Sequence, residues 1–133
     1  MTDITVRRAT PEDAEIIAAY NQAMALETEN KILATDVILP GVKRVFDDEG
    51  LGFYVVACRK DAVVGCLMIT TEWSDWRNGL FWWIQSVYVA PEYRQQGAFT
   101  ALYEHVREKA KETPDICGIR LYVEKENERA HRT

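Results

Sequence analysis

The chain has 133 residues, 47% of them hydrophobic and 28% charged, with a formal net charge of -5. That balance fits one globular domain with one core rather than a disordered chain, and the acidic excess argues against a nucleic-acid partner. No apolar run is long enough to span a bilayer, and Met1-Thr2-Asp3-Ile4-Thr5 lacks the basic and apolar regions of a secretory signal, so a cytoplasmic protein with no membrane partner is expected.

Residues 4–8 alternate apolar and polar and predict a first strand. Thr10-Pro11-Glu12-Asp13 is a helix start, with Thr10 as N-cap, Pro11 in the first helical position and acids in the first turn. Ile16, Ile17, Tyr20 and Met24 form the inward face of helix one, which Glu27-Thr28-Glu29-Asn30-Lys31 interrupts. A short second helix is predicted over residues 41–48, with Val42, Val45 and Phe46 inward. Strands over 53–58 and 63–70 flank the polar turn Arg59-Lys60-Asp61 and form a hairpin.

A loop follows at residues 73–79, then a long central strand over 80–89. Helix three is predicted over 98–111, with Phe99, Leu102, Val106 and Ala110 on one face and Thr113-Pro114 closing it. Ile119, Leu121 and Val123 alternate as strand five, and residues 127–133 open another helix. This order predicts a single α/β domain over residues 1–133: one mixed, mostly antiparallel central sheet with helices on both faces. The three cysteines, Cys58, Cys66 and Cys117, have no C-x-x-C spacing and read as reduced core thiols. Neither His105 nor His131 sits in a Cys/His cluster, so no metal is expected.

The chemistry is concentrated where the central strand meets helix three, in Val87-Tyr88-Val89-Ala90-Pro91-Glu92-Tyr93-Arg94-Gln95-Gln96-Gly97-Ala98-Phe99-Thr100. Pro91 stops the strand, and a turn around Gly97 aims backbone N–H groups into one space at the positive end of a helix. That is an anion site suited to phosphate. The chain has no Gly-Lys-Ser/Thr of a P-loop, and the turn has one glycine where a dinucleotide fingerprint needs three.

Arg94-x-x-Gly97-Ala98 after V-x-V-x-P resembles the acetyl-CoA loop of the GCN5-related N-acetyltransferases (GNAT), [QR]-x-x-G-x-[GA], with Phe99 where that family usually has Gly or Ala. With only its N–H facing the ligand, the Phe99 side chain is expected to turn into the core. The resemblance implies the acyl-CoA N-acyltransferase fold and acetyl-CoA as co-substrate. It also implies direct acetyl transfer to the amine of a small-molecule or amino-acid-like acceptor. Implied cofactor contacts are Val87, Tyr88 and Val89 on the strand, Arg94, Gln95, Gln96, Gly97, Ala98, Phe99 and Thr100 at the turn, and Asn127 from the other side of the pantetheine arm.

The resembled family continues beyond the point matched by Thr133, with a final hairpin and a general-acid tyrosine. A truncated domain lacking its last hairpin is therefore expected, and the open edge of strand five suits a homodimer. A non-catalytic acyl-CoA-binding module and a dimerising remnant stand as the alternative functions.

Many relatives carry a glutamate on the central strand, but Phe81-Trp82-Trp83-Ile84-Gln85-Ser86 has no carboxylate. The candidate bases are therefore Glu27, Glu29 and Glu72. Alternation sends Trp82 and Trp83 to opposite faces of the strand, one to the core and one to the acceptor side. Trp73, Trp83 and Gln85 are the expected acceptor contacts, an aromatic wall suited to a cationic amine.

Overall fold

A computed structural model describes residues 3–121. The alternation of β1 (Ile4–Arg8), β2 (Phe53–Arg59), β3 (Ala62–Ser74) and β4 (Gly79–Val89) lets each strand pair antiparallel with the next, through registers such as Val6↔Ala57, Val56↔Cys66 and Ile69↔Ile84. Helix α3 (Ala98–Glu112) then crosses one face, so β5 (Ile116–Leu121) lies parallel to β4 and completes the order β1-β2-β3-β4-β5. Helices α1 (Ala14–Glu29) and α2 (Thr35–Asp47) cover the other face.

Because β2 alternates, Tyr54, Val56 and Cys58 join Ile17 and Val42 in the core beneath α1 and α2. Val55 and Ala57 join Leu67, Ile84, Leu102 and Val106 beneath α3. The predicted α/β class with helices on both faces is what the chain adopts. The helix from Asn127 and position Val123 lie outside the described residues.

Several boundaries differ from expectation. Helix α2 begins at Thr35 rather than Gly41 and contains Pro40. The ring removes one N–H donor inside the helix, but Pro40 is exposed, while Ile38, Leu39, Val42 and Phe46 pack inward and hold the segment helical. Strand β3 continues to Ser74 and β4 begins at Gly79, so the expected loop shrinks to residues 75–78, with Asn78 in the left-handed region at φ 50. Trp73 is thus a strand residue. On α3 the inward set is Ala98, Leu102 and Val106, four residues apart. Phe99 is half-buried and one step off that stripe. Cys58 and Cys66 are buried, and desolvation pushes the Cys66 thiol up to about 12. Cys117 is exposed, because it is the extra residue where Leu80↔Ile116 shifts to Phe81↔Gly118.

The entry to α1 is fixed by Asp13, buried beside Arg7. Both carboxylate oxygens accept guanidinium N–H groups, at 2.8 and 3.0 Å, and one also accepts the Thr10 backbone N–H at 2.8 Å. The hydrogen bonds from Arg7, ahead of the opposing cost of burial, hold the Asp13 carboxyl below its ordinary pKa. A depressed folded pKa stabilises the protein above the unfolded value and loses that contribution as pH falls through and below about 4. Asp13→Asn should cost about 1–2 kcal/mol at pH 7, a figure reduced because Arg7 is half exposed, and should flatten the acid limb of the stability curve. Urea melts of both proteins from pH 7 to pH 3 check this; parallel curves would refute it.

Candidate functional site

The site grows from a dislocation in β4. Cys66 pairs with Tyr88 and Met68 with Gln85, so Leu67 alone stands opposite Ser86 and Val87. Ser86 takes φ 54 to make this bulge. The extra residue reverses the side-chain alternation. Trp82 and Ile84 enter the α3 core, and beyond the bulge Val87 and Val89 do so, while Tyr88 enters the core under α1. Among the described residues β5 pairs with β4 only from Leu80 to Ile84, so residues 85–89 have a strand neighbour only on the β3 side. Val87 and Val89, where the sequence expectation put the pantetheine arm, lie beyond the last described β4–β5 pair, Ile84↔Leu121.

Next comes the turn. Ala90 N–H closes onto Val64 O at 2.8 Å, Pro91–Tyr93 makes one tight 3₁₀ turn, and α3 starts at Ala98. Gln95 (φ 66) and Gly97 (φ 89) are both left-handed. Alternating left-handed residues turn successive N–H groups towards one point, and the first turn of α3 adds its own. Among the described residues no backbone carbonyl takes the N–H of Gln95, Gln96 or Gly97. Gly97 carries its φ at no steric cost, whereas Gln95 stores strain on the order of 1 kcal/mol.

The Arg94 side chain turns away from this concavity. Its Nε donates to Val89 O at 2.8 Å, its guanidinium donates to Glu27 Oε2 at 2.9 Å and Oε1 at 3.3 Å, and it lies 5.3 Å from the Tyr88 ring centroid. Arg94 thus ties the strand end and turn to the last helical turns of α1. Burial first, and nearby Glu27 after it, keep the Tyr88 phenol above its ordinary pKa, against the opposing effect of Arg94.

On the α1–α2 side of the sheet, Gln85 donates to Thr70 Oγ1 at 2.8 Å and Trp83 Nε1 donates to Glu72 Oε1 at 2.8 Å. Arg120 approaches that same oxygen at 3.5 Å and covers the Phe81 ring at 4.0 Å. The structure therefore brings Glu72, Trp83 and Gln85 to one face. Trp82 faces the other way, edge-on to Phe53 with centroids 5.3 Å apart. Trp73 pairs with Leu80 and points opposite to Glu72, 60% exposed, so it does not join Trp83 and Gln85. Glu29 is two residues from Glu27, about 200° around α1, and makes no ion pair among the described residues. Asn127 lies outside the described residues.

Sequence reasoning missed Arg120, Thr70 and the Arg94–Glu27 tie. It also missed the bulge, which did leave a trace: the apolar series Trp82, Ile84 changes parity to Val87, Val89.

The acetyltransferase (GNAT) family profile matches residues 15–133. A possible acetyltransferase from Clostridium difficile 630 is 48% identical, with a TM-score of 0.88 over 96% of this chain and 84% of its own. Two more distant structures share the fold. A ribosomal-protein-alanine N-acetyltransferase from Brucella melitensis biovar Abortus 2308 is 15% identical (TM-score 0.78; 97% of this chain, 86% of its own). An aminoglycoside acetyltransferase from an uncultured soil metagenomic sample, in complex with sisomicin, is 14% identical (TM-score 0.77; 98% and 84%). Among curated proteins none matches. With the family profile covering residues 15–133, and the bulged strand and glycine turn in place, this chain belongs to the GNAT family of N-acetyltransferases.

Proposed function

We propose that this N-acetyltransferase takes its acetyl group from acetyl-CoA and passes it directly to the amine of a small molecule or amino-acid-like acceptor. The observation that carries this reading is the left-handed Gln95–x–Gly97 turn, which gathers N–H groups at the start of α3, just past the end of β4. The pyrophosphate would accept hydrogen bonds from the backbone of residues 95–100, so Arg94, Gln95, Gln96, Ala98, Phe99 and Thr100 contribute mainly main-chain groups. Pantetheine amides would pair with the Val87 and Val89 backbone, and the thioester would then lie beside the Ser86 bulge.

Transfer requires an unprotonated amine to attack the thioester carbonyl carbon. The C–N bond forms, the C–S bond breaks, and the thiolate leaves and takes up a proton. The acceptor belongs on the α1–α2 side, where Trp83 and Gln85 flank Glu72. Both Trp83 and Arg120 address Oε1 of Glu72, which leaves Oε2 to receive the proton of an incoming ammonium, directly or through water. Glu27 already accepts two guanidinium bonds and positions Arg94 instead. Glu29 lies on the side of α1 turned from Arg94, which weakens its case as a base. Sisomicin, the aminoglycoside bound by one distant relative, is a small polyamine, and this acid-and-aromatic face suits the same acceptor chemistry.

Coenzyme A near a hundred times its Kd should stabilise the native chain by about 2.7 kcal/mol, read as a rise in Tm. Gly97→Glu should remove that rise, whereas Gly97→Ala, equally strained by φ 89 but uncharged, should retain part of it. A folded Gly97→Glu protein with an undiminished rise would refute the turn assignment.

Release of free thiol from acetyl-CoA in the presence of amines tests the transfer itself. Glu72→Gln should slow it about a hundredfold with coenzyme A affinity unchanged, while Glu29→Gln stays near the parent rate. The opposite pattern would move the base to the end of α1.

A further inference from the structure

One concavity beside α3 lies away from the phosphate turn. It opens between β1, β2 and the second half of α3, with a volume of about 520 Å³, the size of a small-molecule site. From Ala98 to Lys109 the helix climbs roughly 16 Å, so this cavity and the turn sit at opposite ends of α3.

Its floor is apolar and aromatic: Phe53, Trp82 and Val106. Its rim is basic. Arg8, His105 and Lys109 line it, and among the described residues no carboxylate does, although the whole chain carries a net charge of -5. Arg7 also borders it but is committed to Asp13. Arg8 is not so committed. Its guanidinium is stationed 4.3 Å from the Phe53 centroid and makes no ion pair among the described residues. Lys109 shares only a loose exposed contact with Glu112, at 3.6 Å. Burial, and then Lys109, hold the His105 imidazole below its ordinary pKa, so at neutral pH it offers an N–H without a charge. The carbonyl end of α3 repels anions, and the two flexible cations at the rim offset it.

We propose that this cavity is a second ligand site, separate from the acetyl-transfer site, for a small aromatic carboxylate whose ring packs on Phe53 and Trp82 and whose anion meets Arg8 and Lys109. The inference is independent of the acetyl-CoA reading. The half-buried Phe53 ring and the Trp82 ring beneath it both line the cavity and supply an aromatic wall for the ligand ring. An unpaired guanidinium at the rim offers two parallel N–H donors, the geometry a carboxylate accepts.

Calorimetric titration of the full chain with naphthylacetate, with and without saturating coenzyme A, tests the site. Binding is expected with a Kd below about 1 mM, unchanged by coenzyme A. The isosteric neutral naphthylacetamide should bind about tenfold more weakly, and Arg8→Gln and Lys109→Gln should each weaken naphthylacetate by about tenfold, because each removes a charge-assisted hydrogen bond. Both residues are exposed, so the variants should fold, as their unliganded Tm will report. The proposal is overturned by any of four results: no binding up to about 10 mM, displacement by coenzyme A, equal affinity for the amide, or full affinity in both variants. Equal affinity for the amide would mark an apolar crevice without anion selection.

Discussion

Strand β4 has to serve three neighbours at once, and the rest of the site follows from how it does so. It pairs with β3 along its length, pairs with β5 at its start, and contributes side chains to both helix-covered cores. A regular strand would keep a single parity throughout, so that Trp82, Ile84, Ser86 and Tyr88 shared one face. Placing Ser86 in the left-handed region costs on the order of 1–2 kcal/mol. In return Tyr88 is buried against Tyr20, with centroids 5.1 Å apart, and Val87 and Val89 are packed towards α3. The same bulge carries the chain into Ala90 and the tight turn that starts α3. A second left-handed residue without glycine's freedom, Gln95, sits only nine positions later. The two strained residues bracket the end of β4 and the turn into α3.

Much of this was legible from residue types. The α/β class and the order of elements follow from alternation and helical spacing, because burial enforces those periods. The glycine turn was legible because phosphate recognition by backbone N–H groups demands a residue that tolerates positive φ. What misled was local chemistry overridden by packing. Pro40 reads as a boundary, yet the apolar residues around it sustain a helix. The polar run after Trp73 reads as a loop, yet Ser74 and Gly79 pair in the sheet. Spacing with Leu102 and Val106 reads Phe99 as the start of the inward stripe, whereas the buried stripe starts one residue earlier, at Ala98. Side-chain partners such as Arg94 with Glu27, 67 positions apart, have no signature in a single sequence.

Several arginines of this acidic chain rest on aromatic rings. Arg8 lies over Phe53, Arg94 over Tyr88, and Arg77 and Arg120 over Phe81. A guanidinium resting on a ring keeps its N–H fork free at the edges while its face is desolvated. Arg120 illustrates the result. Stacked on Phe81 and beside Trp83, it reaches Glu72 from the flank and occupies one carboxylate oxygen, leaving the other to the open side of the sheet.

The two acids that border β4 consequently do different work. Glu27 faces a guanidinium already fixed at Val89 O, and its two oxygens close a bridge from α1 to the turn. That bridge is about half exposed, so it adds at most about 1 kcal/mol to stability; its consequence is geometric. It fixes the rotamer of Arg94 away from the N–H cluster, so the anion is left to the peptide groups and the end of the helix dipole. Such a site recognises phosphate by directed hydrogen bonds more than by net charge, which fits a protein whose overall field repels anions. Glu72 stands farther back along β4, beyond Gln85, bound on one oxygen only. On the proposed reading the strand would separate donor and acceptor chemistry along its length: backbone N–H groups for an anion past one end, Glu72 and Trp83 for a cation towards the other, and the bulge between them.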